Sequence, residues 1–284
     1  MFKIRSIAVR LILAISLTVA VACAVLGGFS IAQQRSLTRL ALDQQLKLQY
    51  DSVIAAIDYE GRATLAVSSV IAALPPVGEA IAKGDRDGLA TLLGGAMEAL
   101  KVQGIPLITF ETQPSFAFYR VHAPKVFGDD MSGRRNTVVE ALRTGRQIVG
   151  VEPGRELLSV FGMTPIIRDG KTFANVDVGA NFGQEFVDRA KKRFGIDLAV
   201  YSFSGNDPKR ISSTFGDEAV ATPEELKSVY TGAALNRDAT FAGHPAALYV
   251  GQRSRTTRVS RSQCSNSSRT PPPTRRQPPV RDKA

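Results

Sequence analysis

The stretch YRVHAPKVFGDDMSGRRNTVVEALRTGRQIVGVEPGRELLSVFGMTPIIRDGKTFANVDVGANF, residues 119–182, decides how this chain folds. It begins inside a strand, Phe116–His122, whose partner Leu107–Glu111 precedes it across a turn at Gln113-Pro114. Asp130 and Ser132 then offer N-caps for a helix running to about Arg143, with Val138, Val139 and Leu142 as its apolar contacts. Gly145 supplies the usual helix stop. Three strands follow, at Gln147–Val151, Leu157–Ile167 and Thr172–Val178, the last two joined by the tight turn Arg168-Asp169-Gly170-Lys171. In the third strand Ala174, Val176 and Val178 share one face, while Asn175 and Asp177 point to the other. Two strands, a helix and three strands predict an α+β fold: an antiparallel sheet with helices on one side.

Upstream lies a membrane anchor. Leu11 to Ala32 carries no charged side chain over 22 residues, enough to cross the hydrocarbon core of a bilayer. Lys3, Arg5 and Arg10 precede it and stay on the cytoplasmic side by the positive-inside rule. The apolar run is too long for a cleaved signal peptide, although Ala20-Val21-Ala22 resembles a cleavage site. Residues 1–32 are therefore read as a cytoplasmic N-terminus and one transmembrane helix. The main body is expected in the periplasm, on a single pass through a bacterial inner membrane.

From Gln33 to Leu74 there is no proline and one glycine, Gly61, so a long helix rises from the span and stops at Pro75-Pro76. Leu46, Tyr50, Val53 and Ile57 are spaced as in a helix–helix seam, which predicts a homodimer through this stalk. Two short helices, near Gly78–Lys83 and Asp87–Val102, complete a helical region over residues 33–102. The sheet unit occupies 103–182.

Residues 183–250 partly repeat the pattern. Gln184–Phe194 is a helix with Phe186, Val187, Ala190 and Phe194 on one stripe, and Ile196–Phe203 is a strand. Thr222-Pro223-Glu224-Glu225 is a capping box with proline in the first turn. Ala239–Val250 reads as a strand pair or bent strand through Gly243-His244-Pro245. This second α/β unit stops before its sheet is complete.

The net charge of +10 is local, because nine basic residues against Asp282 in the stretch after Gly251 supply +8 of it. The body is almost neutral, so a nucleic-acid partner is not expected. Cys23 and Cys264 lie far apart, and with His122 and His244 the only histidines neither a disulfide framework nor a metal site is expected. No nucleophile elbow, phosphate loop, zinc-protease motif or dinucleotide fingerprint is present, so the chain is not read as an enzyme and no cofactor is expected.

HAPKVFGDDMSGRRNTVVEALRTG, GVEPGRELLSVFGMTPIIRDG, VDVG and FVDRAKKRFGIDLAVYSF together resemble the Cache-type extracytoplasmic sensor of bacterial methyl-accepting chemotaxis proteins, over about residues 33–250. The resemblance implies a PAS-like sheet, small-molecule sensing and a chemotactic output. Related sensors feed histidine kinases and cyclic-dinucleotide enzymes, and a tethered binding protein without output fits the same residues. In carboxylate sensors for citrate and C4-dicarboxylates a similar strand ends in ligand-holding arginine and histidine. Here Arg120 and His122 end it, one residue out of that spacing.

The candidate ligand-binding residues are Tyr119, Arg120, His122, Arg135, Glu152 and Arg155, with a small organic anion as the expected ligand. Arginine suits it because its planar fork donates paired hydrogen bonds to a carboxylate. Arg134 and Arg135 are adjacent, so at least one is expected to face solvent. Glu152 and Arg155 can instead pair across Pro153-Gly154, and Tyr119, Phe127 and Phe161 are candidate pocket walls.

Residues 251–284 contain no leucine, isoleucine or aromatic residue and read as a disordered basic tail. With suitable synonymous codons, Arg253 to Thr274 in a shifted frame encode IKDYSGFPIAVLELVKDAAAY, a turn and an apolar strand that would complete the second unit. An out-of-frame tail is therefore expected, with a second span, a HAMP linker and a methyl-accepting hairpin beyond it in an in-frame product.

Overall fold

The computed structural model describes residues 7–155, 157–204, 207–232, 234–252 and 258–259. The segments expected to form the anchor and the stalk are one continuous helix, α1 (Ile7–Ala72), followed by α2 (Pro75–Lys83) and α3 (Arg86–Val102). The first 36 residues of α1 are exposed wherever burial is described, as befits a segment long and apolar enough to span a membrane. The two prolines do not follow a gap: they fill the first turn of α2, where a missing N–H costs nothing.

The first unit contains β1 (Leu107–Thr112), β2 (Phe116–Arg120), α4 (Asn136–Thr144), β3 (Ile148–Pro153), β4 (Leu158–Arg168) and β5 (Lys171–Asn181). Its strands pair antiparallel in the order β3-β4-β5-β1-β2, and a two-residue strand, β10 (Arg258–Val259), lies against β3. β10 is the only part of the tail beyond Gln252 among the described residues. Asp169 and Gly170 both have positive φ, 51° and 73°, and close the β4–β5 hairpin at the turn the sequence marks.

The sheet is covered on both faces, not on one. Alternation along β5 sends Val176 and Val178 into a core with Ile108, Phe110 and the helices α1 to α3. The opposite face carries Phe161, Met163 and Ala117, packed beneath Met131, Val138, Ala141 and Leu142 of α4 and the loop before it. Helix α4 begins at Asn136, later than Asp130. Asp130 instead accepts from the Ser132 N–H at 2.8 Å and the Ser115 hydroxyl at 2.9 Å, pinning a tight turn ahead of the helix.

Helix α1 crosses the sheet in close contact. A methyl group on Gly162 of β4 would lie 2.2 Å from the backbone nitrogen of Leu65, so only glycine permits this approach. Around it, the Ser68 hydroxyl meets that of Thr164 at 2.8 Å, and Gln147 donates to Ser69 at 2.7 Å. The seam expected to face a second copy faces this chain's own body. Val53 and Ile57 pack with Val160, Phe186 and Val187, and Tyr50 lies 5.1 Å from Tyr249, ring to ring.

The second unit contains α5 (Gln184–Phe194), β6 (Ala199–Ser204), β7 (Asp207–Ser213), α6 (Pro223–Thr231), β8 (Leu235–Phe241) and β9 (His244–Val250). Its strands form two separate hairpins among the described residues, β6-β7 and β8-β9, rather than one sheet. The capping box is present: Thr222 accepts from the Glu225 N–H and Glu225 accepts from the Thr222 N–H.

Candidate functional site

The face of the first sheet beneath α4 holds a buried ionic cluster. Its centre is Arg135, the residue before the first turn of α4, with a side chain only 3% exposed. The Asp130 turn sets its direction, and its own N–H donates to Met131 O at 2.9 Å. Nη2 donates to Asp177 of β5 at 2.6 Å and Nε to Glu152 of β3 at 3.1 Å. The guanidinium lies 3.5 Å over the Phe161 ring, a cation–π contact that substitutes for lost hydration.

Glu152 also serves the helix. It accepts from the Thr137 N–H at 3.0 Å and from the Thr137 hydroxyl, satisfying a free donor at the start of α4 from a neighbouring strand. Beyond Asp177 the cluster continues across the sheet, where Asn175 donates to Glu111 of β1 at 3.0 Å. Glu111, Asn175 and Asp177 are at most 1% exposed. A side-chain hydrogen bond also joins Glu111 to Asp177, which leaves Asn175 Oδ1 as the buried acceptor among them without a partner.

Burial, reinforced by the charge of Asp177, pushes the Glu111 carboxyl well above its usual range. Burial also raises Asp177, with Arg135 acting against it. For Arg135, burial works against the charge, but Asp177, Glu111 and Glu152 outweigh it. The cluster is one cation, Arg135, bound among three buried acids.

Of the residues singled out from the sequence, the fold brings together Arg135 and Glu152. Arg120 lies in a separate cluster at the end of β2, where its fork grips Asp129 at 2.6 and 2.8 Å and donates to Val126 O at 2.9 Å. The Arg120 hydrogen bonds pull Asp129 down to about 2, with Arg134 helping from 3.2 Å. Of the two adjacent arginines Arg135 is buried and Arg134 is 30% exposed. His122 Nδ1 sits against the Ile108 backbone, 3.2 Å from its N and 3.1 Å from its O. Tyr119 is buried on the opposite face, in the α1–α3 core. Arg155 is exposed on the turn after β3, and Glu152 pairs with Arg135 rather than with it. Among the proposed walls only Phe161 reaches the cluster; Phe127 lies under Arg86 at 4.0 Å.

Glu111, Asp177 and Thr137 were not among the sequence candidates. The signal was present in part: Asn175 and Asp177 alternate away from an apolar face, and the preceding helix, α4, covers that side. Separately, an open depression of about 370 Å³ lies in the second unit between β6 and α6, lined by Phe203, Glu224, Lys227 and Tyr230.

No curated protein matches the sequence. Among solved structures, the periplasmic domain of Vibrio cholerae LuxQ is similar at 12% identity and TM-score 0.40, covering 74% of this chain and 97% of that one. The sensory domain of the Campylobacter jejuni chemoreceptor Tlp3 with isoleucine bound is similar at 12% identity and TM-score 0.43, covering 75% and 88%. The sensor domain of the V. cholerae histidine kinase DctB is similar at 9% identity and TM-score 0.42, covering 70% and 87%. Residues 39–240 match a family described as the double sensory domain of two-component sensor kinases, and with most of its length matched the chain belongs to that double Cache (dCache_3) family.

Proposed function

We propose that residues 33–250 are the extracytoplasmic input region of a single-pass membrane receptor, and that the first unit senses a small organic molecule bearing N–H donors, such as a primary amine or ammonium. The observation that carries the ligand class is the excess of buried acids, Glu111, Glu152 and Asp177, over the one cation they surround, Arg135. An ammonium group satisfies several acceptors at once and gains from a carboxylate in a low-dielectric site. Arg135 is the group such a ligand competes with, since it holds the other oxygen of Asp177. The organic anion expected from Arg120, His122 and Arg155 fits less well, because Asp129 already occupies the Arg120 fork. The apolar first part of α1, residues 7–32, supports a body held outside the membrane, and a homodimer formed by this helix is the expected assembly. The sequence resemblance implies a chemotactic output; the family's description favours a kinase as the second reading.

A thermal-shift panel on the full chain in nanodiscs tests the ligand class. Primary amines should raise the melting temperature, Asp177→Asn should remove the response, and Arg120→Lys should keep it. A response confined to carboxylates and abolished by Arg120→Lys would reverse the assignment.

A further inference from the structure

The hairpin β8–β9 touches α1 at two levels. At its open end Tyr249 faces Tyr50, ring centroids 5.1 Å apart, and a methyl group on Gly251 would meet the same Tyr50 ring at 2.6 Å. Further along, Asp238, which stands opposite Ala247 in the hairpin, pairs with Arg39 at 3.6 Å. That pair is exposed and adds little stability, but it marks position. From Tyr50 to Arg39 the helix axis runs about 16 Å. The hairpin therefore descends α1 from its open end towards the apolar segment whose charge-free run ends at Ala32. Arg39 stands about 10 Å above Ala32 along the helix. The hairpin tip at Gly243 extends about 13 Å of strand beyond Ala247, which brings it level with the end of that run.

The tip is composed unlike a turn that faces water. From Ala239 to Val250 there is no aspartate, glutamate, lysine or arginine, and residues 242–246 (Ala-Gly-His-Pro-Ala) are all exposed. Phe241 lies half-buried beside them, edge-on to Phe215 at 5.0 Å. The β4–β5 hairpin makes the contrast: its turn, Arg168-Asp169-Gly170-Lys171, is equally exposed and carries three charges.

We propose that the β8–β9 tip, residues 241–246, rests in the headgroup layer of the bilayer that α1 crosses. This builds on the membrane-receptor reading given above. An uncharged tip loses little hydration on entering that layer, and the adjoining helix already holds it at the surface, so a shallow contact suffices. Helix and hairpin together then fix the tilt of the second unit over the membrane, which a single helix leaves free.

The chain contains no tryptophan, so one introduced indole reports its own depth. The full chain is reconstituted in phosphatidylcholine vesicles, with and without bromine on the acyl chains close to the headgroup. His244→Trp and Ala246→Trp, both at exposed positions, should be quenched at least about threefold more than Val102→Trp and emit at shorter wavelength. Val102 is 84% exposed at the end of α3 and serves as the solvent control. Phe29→Trp, inside the apolar run, is the membrane reference. Quenching at Phe29→Trp, with both hairpin variants no more quenched than Val102→Trp, overturns the hairpin contact and leaves the membrane reading intact. Absence of quenching at Phe29→Trp overturns both.

Discussion

Arg135 and Asp177 meet at 2.6 Å with side chains 3% and 1% exposed, tying the start of α4 to the central strand β5 beneath it. Such a pair gives little net stability over an apolar substitute, because both ions lose their water. Removing one partner, however, strands the other. Arg135→Met should therefore cost about 3–5 kcal/mol in chemical denaturation, and combining it with Asp177→Leu should recover most of that loss. A single variant as stable as the parent would show that the cluster does not hold α4 down.

The two acidic clusters should respond to pH with opposite sign. Asp129 is pulled down from 3.8 to about 2, so its contribution is complete above 3.8 and is lost as pH falls through about 2. Glu111 is raised well above 4.5, so its contribution is complete below 4.5 and is lost as pH rises through its elevated value. Melting temperature against pH should rise from pH 2 to 4 and fall at higher pH, and Glu111→Gln should flatten only the upper limb. An upper limb unchanged in that variant would place the titration elsewhere.

Gly162→Ala should separate α1 from β4. Its new methyl meets the backbone of Leu65 at 2.2 Å, which side-chain rotation cannot relieve. The expected cost is about 3 kcal/mol by denaturation, against a small change for Gly94→Ala, where the space is open.

Thr222→Ala removes the hydroxyl that caps α6 and should destabilise the second unit by about 1 kcal/mol, visible as faster amide exchange in residues 223–231. Unchanged exchange there would mean that α6 is held by packing alone.

Local rules carried the elements with their own signals. The Asp169-Gly170 hairpin, the capping box at Thr222 and the α5 stripe fold as their residues predict. β7 was missed because Pro208, Lys209 and Arg210 break any apolar alternation. The hairpin at Ala242-Gly243 was only blurred, since alanine at positive φ is not a turn signal. The Leu46–Ile57 stripe was legible as a buried face. Periodicity tells that a helix face is covered but not by what, and its own second unit covers it. The ionic cluster was the hardest part to see, because Glu111, Arg135, Glu152 and Asp177 come from four elements and mean nothing singly. Arg120 looked like a ligand donor for the same reason: its partner Asp129 reads locally as a turn residue.

Hydrogen–deuterium exchange on the full chain, with and without an amine that raises the melting temperature, tests the central claim most directly. Ligand held at Asp177 should slow exchange in residues 107–112, 129–138, 150–153 and 174–178, the segments that converge on the buried cluster. Protection confined to residues 199–204 and 223–231, around the depression in the second unit, would contradict it.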